Sequence, residues 1–357
     1  MDIRFEQSDT LKEKPTGALG FGKIYTDYMF VANYDADQGG WHDLRIVPFG
    51  PIELSPASMV LHYAQETFEG LKAYRTKDGR IQLFRPEMNA RRFINSNERL
   101  SMPAVPEDMF VGAIKALVDV ERDWVPANEG ESLYIRPYMF ATEACVGVHP
   151  AISYQFIIIC SPSGAYYPEG VNPVKIWVED EYVRATPGGT GFTKCGGNYA
   201  GSLKAQEKAE AQGYTQVLWL DGVHKKYVEE VGSMNAMFVF GNTVVTAPID
   251  GTVLPGVTRD SIIRLLKDWG YEVEERHMPI DELMEGAKNG KLTEAFGTGT
   301  AAVISPIGEL CYKGEKAVIN DFKTGELTQK LYDTLTGIQW GTIADPHEWT
   351  VEVEKQA

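Results

Sequence analysis

Residues 186–199 read TPGGTGFTKCGGNY, a single lysine, Lys194, between two glycine-rich turns. The obvious comparison is the phosphate-binding loop G-x-x-x-x-G-K-[ST]. It fails, because Thr193 precedes the lysine and Cys195 follows it. Glycines here let the backbone pack closely around a lysine that points inward. A buried ammonium is costly without a partner or a lowered pKa, so an inward Lys194 needs a reason.

Working outward, three more segments share this character. Residues 229–235, EEVGSMN, place two acids ahead of a small-residue turn between two strands. Residues 254–258, LPGVT, open a helix whose first backbone N–H groups point at whatever lies above Gly256. Residues 297–302, GTGTAA, read as a second small-residue turn after a strand. Two N–H-rich turns suit two anionic groups.

The rest of the chain supplies a scaffold. Strand signals lie at Tyr28–Tyr34, Leu44–Phe49, Arg80–Phe84, Leu133–Phe140 and Tyr154–Cys160. Helices are predicted from Pro86 to about Leu100 and from Pro106 to Arg122. Ser161–Pro173 concentrates Pro, Gly and Ser, as a linker or a long functional loop. Beyond it come strands at Val174–Val178, Gln216–Leu220 and Tyr271–Arg276, and a hairpin pairing Met237–Phe240 with Thr243–Thr246 over Gly241-Asn242. Helices are expected at Ala200–Ala211, Thr258–Trp269, Asp281–Lys288 and Glu326–Gln339, and the tail VEVEKQA reads as frayed. The fold class is α+β or α/β: a smaller N-terminal domain over 1–162, an interdomain loop over 163–173 and a larger C-terminal domain over 174–357.

The 357 residues carry 34 Lys+Arg against 50 Asp+Glu, a net charge of −16. That balance disfavours nucleic acid and anionic membranes as partners. Four cysteines without C-x-x-C and six scattered histidines without H-x-x-x-H or a Cys/His cluster predict neither a disulfide scaffold nor a protein-built metal site. The N-terminal MDIRFEQSDTLKEKP has no apolar signal region, and the apolar run Phe156–Cys160 is far too short for a membrane helix. A cytoplasmic protein is expected.

Nine segments in order, HYAQETFEGLKAYR (62–75), FRPEMNARRFINS (84–96), SLYIRP (132–137), GAYYPEG (164–170), KCGGNYAGSL (194–203), QVLWLDG (216–222), EVGSMN (230–235), LPGVTR (254–259) and FGTGTA (296–301), resemble the branched-chain amino-acid aminotransferases, class IV (fold type IV) pyridoxal-phosphate enzymes. The resemblance runs from Phe21 to about Gly341 and implies a two-domain, D-amino-acid aminotransferase-like architecture. It implies that Lys194 forms the Schiff base with pyridoxal 5'-phosphate and, once freed, shuttles the proton. Glu230 matches the acid that pairs with the pyridine nitrogen; Glu229 is its nearest rival and otherwise an exposed charge. Tyr199 matches the phenol on the ring oxygen. Arg92, the N–H groups of Val257 and Thr258, and Thr300 match the phosphate cup. Arg91 and Arg92 point about 100° apart on a helix, so only one faces the site, and the motif spacing selects Arg92.

The same resemblance implies a substrate pocket lined by Phe21, Tyr63, Phe68, Tyr134 and Tyr166. Arg136 would meet the distal carboxylate of glutamate, and Thr300, Ala301 and the Tyr63 hydroxyl the α-carboxylate. The implied reaction is ping-pong: L-leucine, L-isoleucine or L-valine gives its nitrogen to the cofactor, which then aminates 2-oxoglutarate to glutamate. The implied partners are small amino acids and 2-oxo acids, in a homodimer where part of 62–75 serves the neighbouring subunit. Some relatives carry C-x-x-C after the Gly-Thr-Ala turn; Ala302 to Ser305 replace it here, so thiol regulation there is not expected. Rival readings, a D-amino-acid aminotransferase or an aminodeoxychorismate lyase, keep Lys194, Glu230 and Arg92 but not the aromatic set with Tyr134-Ile135-Arg136.

Overall fold

A computed structural model describes residues 2–164 and 171–355. It forms two compact units, Met1–Tyr166 with Lys194–Gly196 and Gly337–Ala357, and Tyr167–Thr193 with Gly197–Thr336.

The first unit is built on strands β1 (Arg4–Phe5), β2 (Tyr28–Asp35), β3 (Gly40–Pro48), β4 (Glu66–Phe68), β5 (Leu71–Arg75), β6 (Ile81–Phe84), β7 (Ser132–Ala141) and β8 (Ser153–Ser163). With the C-terminal strand Thr350–Glu352 they make a nine-stranded sheet, ordered β1, β3, β2, β8, β7, β5, β6 and the C-terminal strand, with β4 against β7. All pairs but β1–β3 are antiparallel. Register sorts the faces, because side chains alternate along a strand. Leu71 pairs with Ile135 and Ile135 with Cys160, so these apolar residues share one face. They pack in one core with Phe93 of helix α2 (Pro86–Arg99) and Phe110, Ile114 and Leu117 of α3 (Glu107–Val120); the short helix α1 spans Val60–Tyr63. Pro86 opens α2 because its missing N–H has no partner in a first turn anyway. On the opposite face Lys72 pairs with Tyr134 and Tyr134 with Ser161, a polar row across three strands.

In the second unit β9 (Val174–Glu179), β10 (Gln216–Leu220), β11 (Val228–Val231), β12 (Met234–Phe240), β13 (Thr243–Thr246), β14 (Glu272–Glu275), β15 (Glu294–Gly299), β16 (Val303–Tyr312) and β17 (Glu315–Val318) form another nine-stranded sheet. The extra pairing of β11 with β12 closes β11, β10, β9, β16, β15 and β12 into a ring. Its interior is apolar, with Val178, Leu218, Val231, Phe238 and Leu310 buried. Helices α4 (Gly196–Ala200), α5 (Leu203–Glu210), α6 (Val257–Asp268), α7 (Ile280–Asn289) and α8 (Glu326–Gln339) complete the chain.

Four local expectations are corrected. The turn-rich stretch does not start at Ser161: β8 continues to Ser163, with Pro162 opposite Leu133. Pro162 is tolerated because the Thr26 N–H donates to Cys160 O, and two residues on β2 has ended. The helix drawn over 200–211 is two, α4 and α5, interrupted at Gly201-Ser202. Gly297 to Gly299 are strand, and the turn is confined to Thr300–Ala302. The tail is not frayed throughout: Val351 pairs with Leu83, and Val353 is buried, its N–H on Ile81 O.

Candidate active site

Lys194, although late in the chain, belongs to the first unit. Its N–H donates to Ser96 Oγ at 2.9 Å, and its carbonyl accepts the Phe68 N–H at 2.9 Å. The ammonium thereby lies 4.7 Å from the Phe68 ring centre. Ser96 sits on the inward face of α2 with Asn89 and Arg92, at the spacing that stacks side chains on one helix face. Arg92 grips fully buried Glu69 with two bonds, Nε at 2.7 Å and Nη2 at 2.8 Å; Asn89 Nδ2 donates to the same carboxylate at 2.8 Å and the Gly70 N–H at 3.1 Å. Arg91 points out and pairs with Glu107 in solvent.

Tyr134 and Arg136 leave the same face of β7, and Arg136 Nη2 donates to Tyr134 Oη at 2.8 Å. The Arg136 guanidinium also stacks 4.8 Å over Phe68, and Phe21 meets the Tyr134 ring edge-on at 4.9 Å. Gly70 is required here, since a Cβ on it would stand 2.2 Å from Tyr134 Oη. The cluster is rich in positive charge. Burial, and then the Arg92 cation, lower the Lys194 pKa to about 8 despite the opposing Glu69 carboxylate. Burial alone lowers Lys72, beside Tyr134, to about 8. Burial would raise Glu69, but the Arg92 charge and hydrogen bonds, Lys194 and Asn89 together hold it below the ordinary carboxylate range.

The second unit holds a buried carboxylate of its own. Glu230 on β11 is 3% exposed; its Oε1 accepts the Leu254 N–H at 2.7 Å and its Oε2 lies 3.3 Å from Arg184 Nε. Arg184, Thr193, Asn198, Tyr199, Ser202, Glu230 and Leu254 line one small recess. Glu229, expected as an exposed charge if not the cofactor's acid, is buried, taking a bond from Thr252 Oγ1 at 2.6 Å, and burial raises its pKa. Asn235 Nδ2 donates to Leu254 O at 2.9 Å, and a Cβ at Gly256 would stand 2.0 Å from Asn235 Oδ1. Only glycine fits there. It is also the N-cap of α6 and offers no side-chain cap to the helix beginning at Val257-Thr258. Across β12 and β15, Asn235 pairs with Thr298, whose buried Oγ1 has no hydrogen-bond partner. Just after Thr300 and Ala301, Val303 has φ 62°, a strained conformation for a β-branched residue.

Thus Lys194, Arg92, Phe68, Tyr134, Arg136 and Phe21 fall in one connected cluster of the first unit. Tyr63 stands apart from it, 39% exposed, with its hydroxyl on Val146 O. In the second unit Glu230 and Tyr199 share the recess, Val257 and Thr258 start α6, and Thr300 and Ala301 form the turn after β15. Tyr166 lies outside the described residues. Sequence reasoning missed Glu69, Lys72, Ser96, Arg184 and Thr298. All but Arg184 were within quoted segments: Glu69 and Lys72 flank Gly70-Leu71, Ser96 is one turn past Arg92, and Thr298 lies in FGTGTA.

The chain is similar to known proteins. Residues 66–310 match the family model of the class IV amino-transferases. The "Probable branched-chain-amino-acid aminotransferase" of Staphylococcus aureus (strain N315) is 58% identical, covering 99% of each chain. The "Branched-chain-amino-acid aminotransferase 2" of Bacillus subtilis (strain 168) is 53% identical over 98% of this chain and 97% of its own. Among solved structures, a T.th. branched-chain amino acid aminotransferase with pyridoxamine 5'-phosphate superposes with a TM-score of 0.76 at 27% identity, covering 91% of this chain and 98% of that one.

Proposed function

The chain belongs to the class IV aminotransferases, and from that premise we propose how its own residues transfer the amino group of L-leucine, L-isoleucine or L-valine to 2-oxoglutarate. It is a branched-chain amino-acid aminotransferase of fold type IV, dependent on pyridoxal phosphate. Bound pyridoxal phosphate supplies an electrophilic carbon that takes up the amino group and a ring that withdraws electrons from the substrate Cα.

The residues fit that group. Thr298 Oγ1 is a buried hydroxyl awaiting an acceptor or donor, and the uncapped α6 start above Gly256 presents N–H groups suited to phosphate. Arg92, whose Nε and Nη2 are held by Glu69, would by the family motif add a cation for the phosphate. Thr300 would complete this cup. Arg184 and the Leu254 N–H hold the Glu230 carboxyl in place for the ring nitrogen, and Tyr199 lies in the same recess to meet the ring oxygen.

The observation that carries the reading is Lys194 itself, its ammonium held over Phe68 with a pKa of about 8. At neutral pH roughly a tenth of such an amine is unprotonated, against under a thousandth for an ordinary lysine. Nζ is therefore a competent base for the substrate Cα proton and a competent acid to return it. The mixed pocket follows from the same cluster. Phe68, Phe21 and the Tyr134 ring offer apolar surface to a branched side chain, and Arg136 with the Tyr134 hydroxyl meets the distal carboxylate of glutamate. Ala301 and Thr300 N–H groups would take the α-carboxylate, Tyr63, which stands apart from this chain's own cluster, would offer its hydroxyl to the neighbouring subunit's pocket, and Tyr166 would add to the aromatic lining.

Two further readings belong here. The protein acts as a homodimer: Leu61, Val146 and Val148 are 59%, 75% and 82% exposed on segments joined by the bond from Tyr63 Oη to Val146 O, an apolar surface suited to a second copy. It works in the cytoplasm, in keeping with four free cysteines; among the described residues no helix is long and apolar enough to cross a membrane.

Borohydride reduction of the yellow enzyme followed by peptide mapping tests the central assignment. The cofactor should be found on Lys194, and label on another lysine overturns it. Turnover of D-alanine but not L-leucine would instead favour a D-amino-acid aminotransferase.

A further inference from the structure

The loop joining β7 to β8, whose Val146 and Val148 belong to the surface proposed for a second copy, also gathers three different donor groups. We propose that Glu143, Cys145 and His149 bind one zinc-type divalent cation, through a carboxylate oxygen, the thiolate and an imidazole nitrogen, with water in the fourth position. One such atom from each residue lies within 4.8 Å of the others. His149 Nε2 is already 3.0 Å from Glu143 Oε1. Zinc bound at about 2.0–2.3 Å from N, O and S donors spaces tetrahedral ligands about 3.3–3.8 Å apart, so small side-chain rotations close the site.

The ligands are oriented by bonds of their own, as metal ligands require. The Ile152 N–H donates to Glu143 Oε2 at 2.8 Å and leaves Oε1 turned to His149. The Gly147 N–H donates to Cys145 Sγ at 3.2 Å and fixes the sulfur's position. The backbone beneath is fixed: the Met59 N–H donates to Glu143 O, the Cys145 N–H to Ala57 O, and Ser58 bridges Ala144. On cation binding the Cys145 thiol proton leaves to solvent.

The cluster has neither a C-x-x-C nor an H-x-x-x-H signature. The spacing here is E-x-C-x-x-x-H, and only the loop's return brings Glu143 beside His149. Val146 and Val148 lie within the chelate ring, and Val146 O holds the Tyr63 hydroxyl, so the cation would stiffen that exposed surface.

The test is a Co²⁺ titration of the chelator-treated holoenzyme. One equivalent per chain should produce a thiolate-to-cobalt charge-transfer band that Zn²⁺ abolishes. Cys145→Ser should remove the band at an unchanged transamination rate, and Glu143→Gln and His149→Ala should each weaken binding at least about 10-fold. Cys160, Cys195 and Cys311 are buried, so a band that survives Cys145→Ser comes from elsewhere and overturns the proposal, as does no band in the parent enzyme. Should Cys145→Ser fail to fold, alkylation of Cys145 in the parent enzyme decides: Zn²⁺ should slow it at least tenfold, and an unchanged rate refutes the site.

Discussion

Arg91 and Arg92 are neighbours on α2, and each holds a glutamate, but the two pairs should respond very differently to the same substitution. The Arg91 and Glu107 side chains are 60% and 41% exposed, whereas those of Arg92 and Glu69 are 8% and 0% exposed. Replacing Glu107 by Gln lets water take over both partners, and no measurable change in stability is expected. Replacing Glu69 by Gln strands a buried guanidinium. It also turns an amide NH₂ toward a site that receives four donors: two from Arg92, one from Asn89 and one from Gly70. Breaking a buried pair from one side costs about 3–5 kcal/mol.

Equilibrium urea unfolding at pH 7 reads the difference as a shift in midpoint at constant slope. A pH series adds an independent check. Because the folded-state pKa of Glu69 lies below its unfolded value, the ion pair's contribution is complete above about pH 4.3 and lost as pH falls through the lower folded value. The gap between parent and Glu69→Gln should therefore hold from pH 7 to about 5 and shrink in stronger acid. A loss at Glu69 as small as at Glu107, or a gap that ignores acid, would refute the reasoning.

Lys194→Ala should abolish transamination and leave the circular dichroism spectrum unchanged; an unfolded variant would reveal a structural role instead. Arg136→Ala should lower kcat/KM for glutamate about 30-fold or more relative to leucine, since only glutamate loses a charged partner worth at least about 2 kcal/mol; equal losses would defeat the dual pocket. Gly70→Ala should reduce activity with both substrates, because the new Cβ displaces Tyr134 Oη and with it the Arg136 bond; an unaltered rate would show that Tyr134 is not held there. In cofactor-free enzyme, acetylation of Lys194 should rise with a midpoint near pH 8, and a midpoint near the about 10.4 of an ordinary lysine would be the contrary result.

The sequence alone was enough for whatever is encoded within a few residues. Helical spacing puts Arg91 and Arg92 about 100° apart, and the family motif picks Arg92, which is buried while Arg91 is exposed. The Gly241-Asn242 hairpin forms in the expected register, Phe240 opposite Thr243. The ordered motifs also sufficed for the family, and through it for the cofactor and reaction.

Tertiary structure decided what depends on partners far away in the chain. VEVEKQA looks like a polar end, yet Val351 finds Leu83 some 268 positions earlier, and a strand without a local mate has no local signature. Ser161 to Ser163 read as a turn because Pro and Ser favour turns, but the ladder with β7 outweighs that preference. Glu69 is the clearest instance at the site. An acid in FEGLKAYR reads as surface charge until α2 lays Arg92 and Asn89 over it and Lys194 is drawn beside it from more than a hundred residues on. Burial and charge pairing are sums over neighbours in space, and a sequence orders its neighbours only along the chain.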